Sequence, residues 1–156
     1  MTSFPGLRSG SGARLFADYA EAHRTPGNRA CHAAGIPLIV FAVVLALATV
    51  RLGGGWTAAE PVIAAVGLLE IALDPPAGVV FLIFSAASEA SGRFLIVRRG
   101  AVGALPVAAA LFILGWGFQF VGHALFEKNR PAFVRNLRHL LIGPLWMARK
   151  ALPGRH

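Results

Sequence analysis

The chain has a single cysteine, Cys31, so it closes no internal disulfide and builds no multi-cysteine metal site. Charge is scarce. Only 14% of the 156 residues are Asp, Glu, Lys or Arg, against roughly a quarter in an ordinary soluble domain. Acidic residues are the scarcer sign, 7 against 15 basic, which leaves a net charge of +8. Lysine is nearly absent, 2 against 13 arginines, the usage of a GC-rich genome and a pointer to a bacterial source. The first 30 residues carry Arg8, Arg14, Asp18, Glu21, Arg24 and Arg29 without an apolar core. No cleavable signal peptide is therefore expected. No internal repeat and no long low-complexity run stands out.

Apolar residues are abundant instead, at 56% with a mean hydropathy of +0.63. Such a balance excludes a disordered chain, an ordinary soluble enzyme and a basic nucleic-acid-binding domain. The positive charge is not a stripe; it gathers before the first apolar run and after the last. That is the distribution of segments facing the cytoplasm and anionic headgroups. The expected fold class is all-α, an integral membrane helical bundle with about four transmembrane helices and amphipathic interfacial helices at both ends. Residues 1–12 read as a flexible tail, 13–150 as one membrane-embedded domain and 151–156 as a C-terminal tail.

Residues 13–24 place Leu15, Phe16, Tyr19, Ala20 and His23 at helical spacing, an amphipathic helix expected to lie on the membrane surface. Thr25-Pro26 reads as N-cap and first position of the next helix. Spans are expected at about 34–51, 57–73, 77–97 and 102–124. Gly53-Gly54-Gly55 and Asp74-Pro75-Pro76 serve as breaks between them. The two middle spans are short, tilted or re-entrant in this reading. Residues 132–150 set Phe133, Leu137, Leu140, Leu141 and Trp146 against Arg135, Arg138, Arg149 and Lys150, a basic interfacial helix. Four basic residues precede the spans, seven follow them and four lie at the loops between. This excess places both termini in the cytoplasm, in a bacterial inner membrane or, for a eukaryotic chain, in the endoplasmic reticulum.

Two polar clusters stand out: His23-x4-Asn28-x3-His32, and Gln119-x3-His123-x3-Glu127. Residues four apart share a helix face, which aligns Asn28 with His32 and Gln119 with His123 and Glu127. An even number of spans puts both clusters at one membrane face; an odd number separates them by the bilayer. Three imidazoles and a carboxylate suit a divalent metal, non-haem Fe2+ first, with zinc or manganese as alternatives. A competing reading leaves the histidines in the headgroup region and pairs Glu127 with Lys128 or Arg130. His139 reads as an interfacial residue of the terminal helix and Glu89/Arg93 as a structural i,i+4 pair. Gly53–Gly55 lacks the helix and lysine of a phosphate loop.

The segment from Tyr19 through His23, Asn28 and His32 to Gly35-Ile36-Pro37-Leu38 resembles the N-terminal motif of a known family. So does Gly115-Trp116-x-Phe118-Gln119-Phe120-Val121-Gly122-His123-x2-Phe126-Glu127-Lys128-x-Arg130-Pro131-Ala132, followed by Asn136-Leu137 and Pro144. The family is that of the yeast endoplasmic-reticulum 2-hydroxy fatty acid dioxygenase, which acts in converting phytosphingosine to odd-numbered fatty acids. The resemblance implies an Fe2+-dependent dioxygenase of fatty acid α-oxidation, with a 2-hydroxy fatty acid, O2 and the lipid bilayer as partners and no nucleic acid. It implies His23, His32 and His123 as iron ligands. Glu127 is then expected as a fourth ligand or general base. Asn28 and Gln119 are expected to hold tautomers or substrate, and Arg24, Arg130 or Arg135 to attract the substrate carboxylate. Arg24 departs from the pattern, standing where the yeast enzyme has a second adjacent histidine. A reading without catalysis, lipid binding or transport, and a zinc hydrolase on the same ligands are the alternatives.

The even span count is checked by fusing a topology reporter to each terminus. Both reporters are expected on the cytoplasmic side, and opposite sides would separate the two clusters.

Overall fold

The computed structural model describes residues 10–128 and 137–153, with side chains from residue 13 onward. Arg130, Arg135 and Phe133, the residues 1–9 of the N-terminal tail and residues 154–156 lie outside the described residues. Helix α1 spans Gly10–Glu21 and α2 spans Pro26–Ala48. Thr25 caps α2, its hydroxyl accepting from the Asn28 amide, with Pro26 in the first turn where no amide partner is required. A two-stranded antiparallel hairpin follows, β1 (Arg51–Gly53) and β2 (Trp56–Thr57). It turns through Gly53, Gly54 and Gly55, all with positive φ. Helix α3 spans Ala59–Leu73 and α4 spans Pro75–Val121. Asp74 ends one and caps the other, accepting from the Ala77 amide at 3.3 Å. A π-helical turn, Gly122–Glu127, closes on Lys128 in the left-handed conformation. Helix α5 spans His139–Lys150.

Helix α4 is a hairpin of two arms. Gly100 sits at φ 72° and ψ 163°, a region open essentially only to glycine. The packing on α2 shows the reversal. Ile36, Pro37 and Val40 share a cavity wall with Val80, Phe81 and Phe84, and Leu45 lies against Gly92, so the first arm runs parallel to α2. Leu45 also packs on Ala104 and Ala108, and Gly35 meets Gly115, so the second arm runs antiparallel. Helix α3 is antiparallel to the first arm, Gly67 against Leu82 and Gly78 against the backbone of Glu70 and Ile71. The chain thus makes four alternating helical passes, with breaks at the glycine hairpin, at Asp74 and at Gly100.

Among the described residues, two helices are long and apolar enough to cross a membrane, Pro26–Ala48 and Pro75–Glu127. Four such helices are not present as separate elements among the described residues. Helix α3 has 15 residues, about 22 Å at 1.5 Å per residue, short of a hydrocarbon core of roughly 30 Å. The passes near 77–97 and 102–124 are two arms of one helix. Large apolar side chains face outward along both arms and α3, among them Val97, Val102, Ile113 and Leu68.

The end helices differ from their expected surface role. Helix α1 turns its apolar face into protein. Phe16 and Tyr19 are buried in a core with Ile142, Leu145 and Trp146 of α5 and with Ala77 and Phe81 of α4. Each large apolar side chain so buried contributes roughly 1.5–3 kcal/mol. Helix α5 is likewise sunk, with Arg149 buried against Asp74 as an ion pair. Opposite, Arg93 pairs with Glu89 as expected, and also with Glu60 and the Gly55 carbonyl, tying the hairpin to α4.

Helix α2 and the second arm approach closely. A Cβ on Gly35 would lie 2.6 Å from the Gly115 carbonyl oxygen, and one on Gly115 would lie 2.7 Å from Ile39 Cγ1. Gly35→Ala is therefore expected to force the helices apart and cost about 1–3 kcal/mol. Gly117→Ala, where nothing lies within 4 Å, is the matched control. Thermal unfolding of the two variants in the same detergent measures the difference.

Candidate metal centre

His23 sits at the junction of α1 and α2, His32 two turns into α2 and His123 in the π-helical turn. All three are buried, and one ligand atom from each lies within 4.8 Å of the others. His23 Nε2 and His32 Nε2 face each other at 3.2 Å. Two nitrogens held about 2.1 Å from one ion at tetrahedral or octahedral angles stand roughly 3.0–3.4 Å apart. The ring of His123 lies 4.8 Å from that of His23 and 5.0 Å from that of His32, both edge to face. Its Nδ1 is buried and finds no hydrogen-bond partner among the described residues.

The outer nitrogens set the tautomers. His23 Nδ1 donates to the Tyr19 carbonyl at 2.5 Å, which leaves Nε2 as a bare lone pair aimed at the cluster. Tyr19 Oη meets His32 Nδ1 at 3.2 Å. If that nitrogen donates, His32 Nε2 is also a lone pair, and two lone pairs face each other with room for a cation. If the tyrosine donates instead, His32 Nε2–H bridges to His23. A proton and a metal ion therefore satisfy the same geometry, and the hydroxyl of Tyr19 can serve both. Burial pushes the His23 imidazole down to about 4, against the pull of the Tyr19 carbonyl. It is neutral at pH 7, the form that binds metal. Burial also raises the Tyr19 phenol, so it stays protonated.

A cavity of about 70 Å3 opens beside the imidazoles, walled by Ile36, Ile39, Trp116, Gln119, His139 and Pro144 among others. It has the chemistry of a small metal centre: imidazole nitrogen donors, an orphaned buried nitrogen and adjacent space. The donor set fits a divalent transition ion and does not by itself choose iron over zinc.

Comparison with known proteins bears on the chemistry. The family described as 2-hydroxy-palmitic acid dioxygenase Mpo1-like matches residues 10–155. The chain belongs to this family. A relative, 2-hydroxy-palmitic acid dioxygenase MPO1 of Saccharomyces cerevisiae, is 32% identical over 134 residues, covering 83% of this chain and 72% of the relative. No solved structure matches the chain. The Mpo1-like membership agrees with the resemblance carried by the two histidine motifs.

Other polar residues take different positions in this Mpo1-like chain. Glu127 stands outside the imidazole cluster. Its Oε1 accepts from the Thr25 amide at 2.7 Å, the Thr25 hydroxyl at 3.0 Å and Asn28 Nδ2 at 3.3 Å. Ordinary α spacing aligns it with His123, but the π turn changes the angular step per residue. Asn28 also donates to the Ala22 carbonyl, bracing the α1–α2 junction. Gln119 lines the cavity with its Nε2 buried and unpartnered among the described residues. Arg24 pairs with Glu21 on the surface at 2.9 Å.

Three participants escaped the spacing analysis. Tyr19 is stacked on His23 at 4.0 Å as well as bonded to His32; its position four before His23 was the available signal. His139, expected at the interface, is buried with its ring 6.1 Å from Tyr19. Trp146 lies 5.7 Å from the His23 ring. Positions 139, 142, 143 and 146 form one helical face, so a count of that face finds both.

Metal analysis separates the roles. His32→Ala and His123→Ala are expected to bind no metal. Tyr19→Phe is expected to weaken metal affinity by about 10–100-fold in chelator competition. Glu127→Gln is expected to keep the metal and lower thermal stability, because its carboxylate holds the N-terminus of α2.

Proposed function

We propose that this chain is a membrane-embedded, Fe2+-dependent dioxygenase that converts a 2-hydroxy fatty acid and O2 to the fatty acid one carbon shorter, CO2 and water. The observation that carries the reading is the convergence of three buried imidazoles from distant parts of a Mpo1-like chain. The reaction balances without a further reductant. Oxidative decarboxylation of the 2-hydroxy acid gives up four electrons, and O2 takes four.

In this reading His23, His32 and His123 hold the ion. When bound, ferrous iron supplies Lewis-acid binding of the hydroxy-carboxylate and the electrons that engage O2. The chain's own groups do the positioning. Tyr19 fixes the ring of His32, and the Tyr19 carbonyl fixes that of His23. Gln119 offers its unpaired amide donor to the substrate carboxylate across the shared cavity. Glu127 and Asn28 keep the start of α2 in register, so that His32 stays beside His23. The apolar walls keep the site poor in competing water.

The four helical passes cross the bilayer in this proposal, the 15-residue α3 where the bilayer thins around it, with the outward apolar residues of α3 and both arms against lipid. Both termini then lie on the cytoplasmic face, as the basic flanks require. A substrate that partitions into lipid meets its enzyme there.

The test is an aerobic assay of iron-loaded, detergent-purified protein with 2-hydroxyhexadecanoic acid. One CO2 and one shortened acid are expected for each O2 consumed, with no turnover under argon, after chelation or in His123→Ala. Intact acid recovered from iron-loaded protein in air overturns the proposal.

A further inference from the structure

Beside the histidine centre lies a second, larger cavity of about 200 Å3. We propose that it receives the hydrocarbon tail of the acyl substrate and sets the chain length accepted. The proposal rests on reading the histidines as a fatty-acid oxidation centre, and goes beyond it by locating the tail.

The two cavities share walls. Ile36, Val40 and Pro144 line both. His32, Ile36 and Val40 stand four residues apart on one face of α2. Each step climbs about 6 Å along that helix, so the stripe leads from an imidazole nitrogen into purely apolar surroundings. Ten residues line the larger cavity, and none carries a hydroxyl, amide or charge on its side chain. Water has too few partners to settle there, and left empty the walls forfeit packing contacts. An alkyl chain satisfies both conditions.

The dimensions agree. At about 30 Å3 for a water and a similar volume for a methylene, the cavity takes roughly six or seven of them. The shape of the ligand matches the order of surroundings, a polar head at the nitrogens and a continuous apolar tail beyond. Val80 and Phe84 of the first arm of α4, Met147 and Ala148 of α5 and Ala151 at its C-terminal end supply walls that the histidine cavity does not share. Helix α5 is held in place by the buried Asp74–Arg149 pair, so this wall is fixed to the rest of the fold. Ala148 is small and Phe84 is large, which gives opposite handles on the available length.

The experiment uses the full chain, purified in detergent and stripped of metal, with hexadecanoic acid carrying a mid-chain diazirine. Photolabelling is expected on peptides containing residues 80–84 and 147–151, competed by 2-hydroxyhexadecanoic acid and not by phosphatidylcholine. Ala148→Phe is expected to cut this labelling by about tenfold with metal binding intact. In the iron-loaded protein Ala148→Phe shifts preference to shorter acids, and Phe84→Ala shifts it to longer ones, by about two carbons. Phe84→Ala carries the test alone if the bulkier variant does not fold. Labelling spread over outward residues such as Leu68 and Ile113, or displaced equally by phosphatidylcholine, overturns the proposal. Unchanged length preference in the folded variants overturns it as well. Competed labelling without any turnover would sink the oxidation reading and leave the tail site standing. Turnover without labelling or length shift removes the tail site alone.

Discussion

Everything in this protein depends on two helices touching backbone to backbone. Gly35 of α2 and Gly115 of the second arm of α4 have no side chain between them, and any Cβ at either would strike the other helix. This contact sets the register of the antiparallel pair. With it fixed, Asn28 lies against Gly122, and His32 comes to the level of Gln119 and His123. The histidines meet because glycines a few turns away let their helices approach.

The His23 imidazole, buried beside two others, resists protonation. A cluster of imidazolium ions would have to bear both desolvation and mutual repulsion. Neutral rings with one nitrogen committed to a hydrogen bond leave the other nitrogen directed inward. The Tyr19 carbonyl and hydroxyl commit the outer nitrogens of His23 and His32. The fold covers this arrangement from outside with α1 and α5, whose apolar faces pack on each other through Phe16, Tyr19, Leu145 and Trp146. The Asp74–Arg149 pair locks α5 to the α3–α4 turn. Breaking one half of such a buried pair generally costs about 3–5 kcal/mol. The cover is therefore an integral wall of the site.

Much of this was legible in the chain itself. The cap at Thr25 and the break at Asp74-Pro75-Pro76 follow from local chemistry, since a hydroxyl before proline satisfies amides that no helix can and proline interrupts the preceding helix. The Glu89–Arg93 pair follows from spacing. The two histidine motifs named the metal candidates and the family. Less legible was the hydrogen bonding of Glu127 to Thr25 and Asn28, because an α period does not anticipate a π turn. The burial of α1, His139 and Arg149 was hidden too. An amphipathic helix reads the same whether its apolar face meets lipid or another helix.

The sequence by itself determined where helices stop, which residues are ionisable among apolar ones, and which spacings bring side chains to one face. These are local properties, fixed by propensity, capping and periodicity over a few residues. Only the tertiary structure decided that His23, His32 and His123 converge, that Tyr19 stands behind two of them, and that Glu127 braces a helix end. Those outcomes depend on distances between segments up to about a hundred residues apart. Such distances are set by the summed packing of α2, α4 and α5 rather than by any stretch of chain.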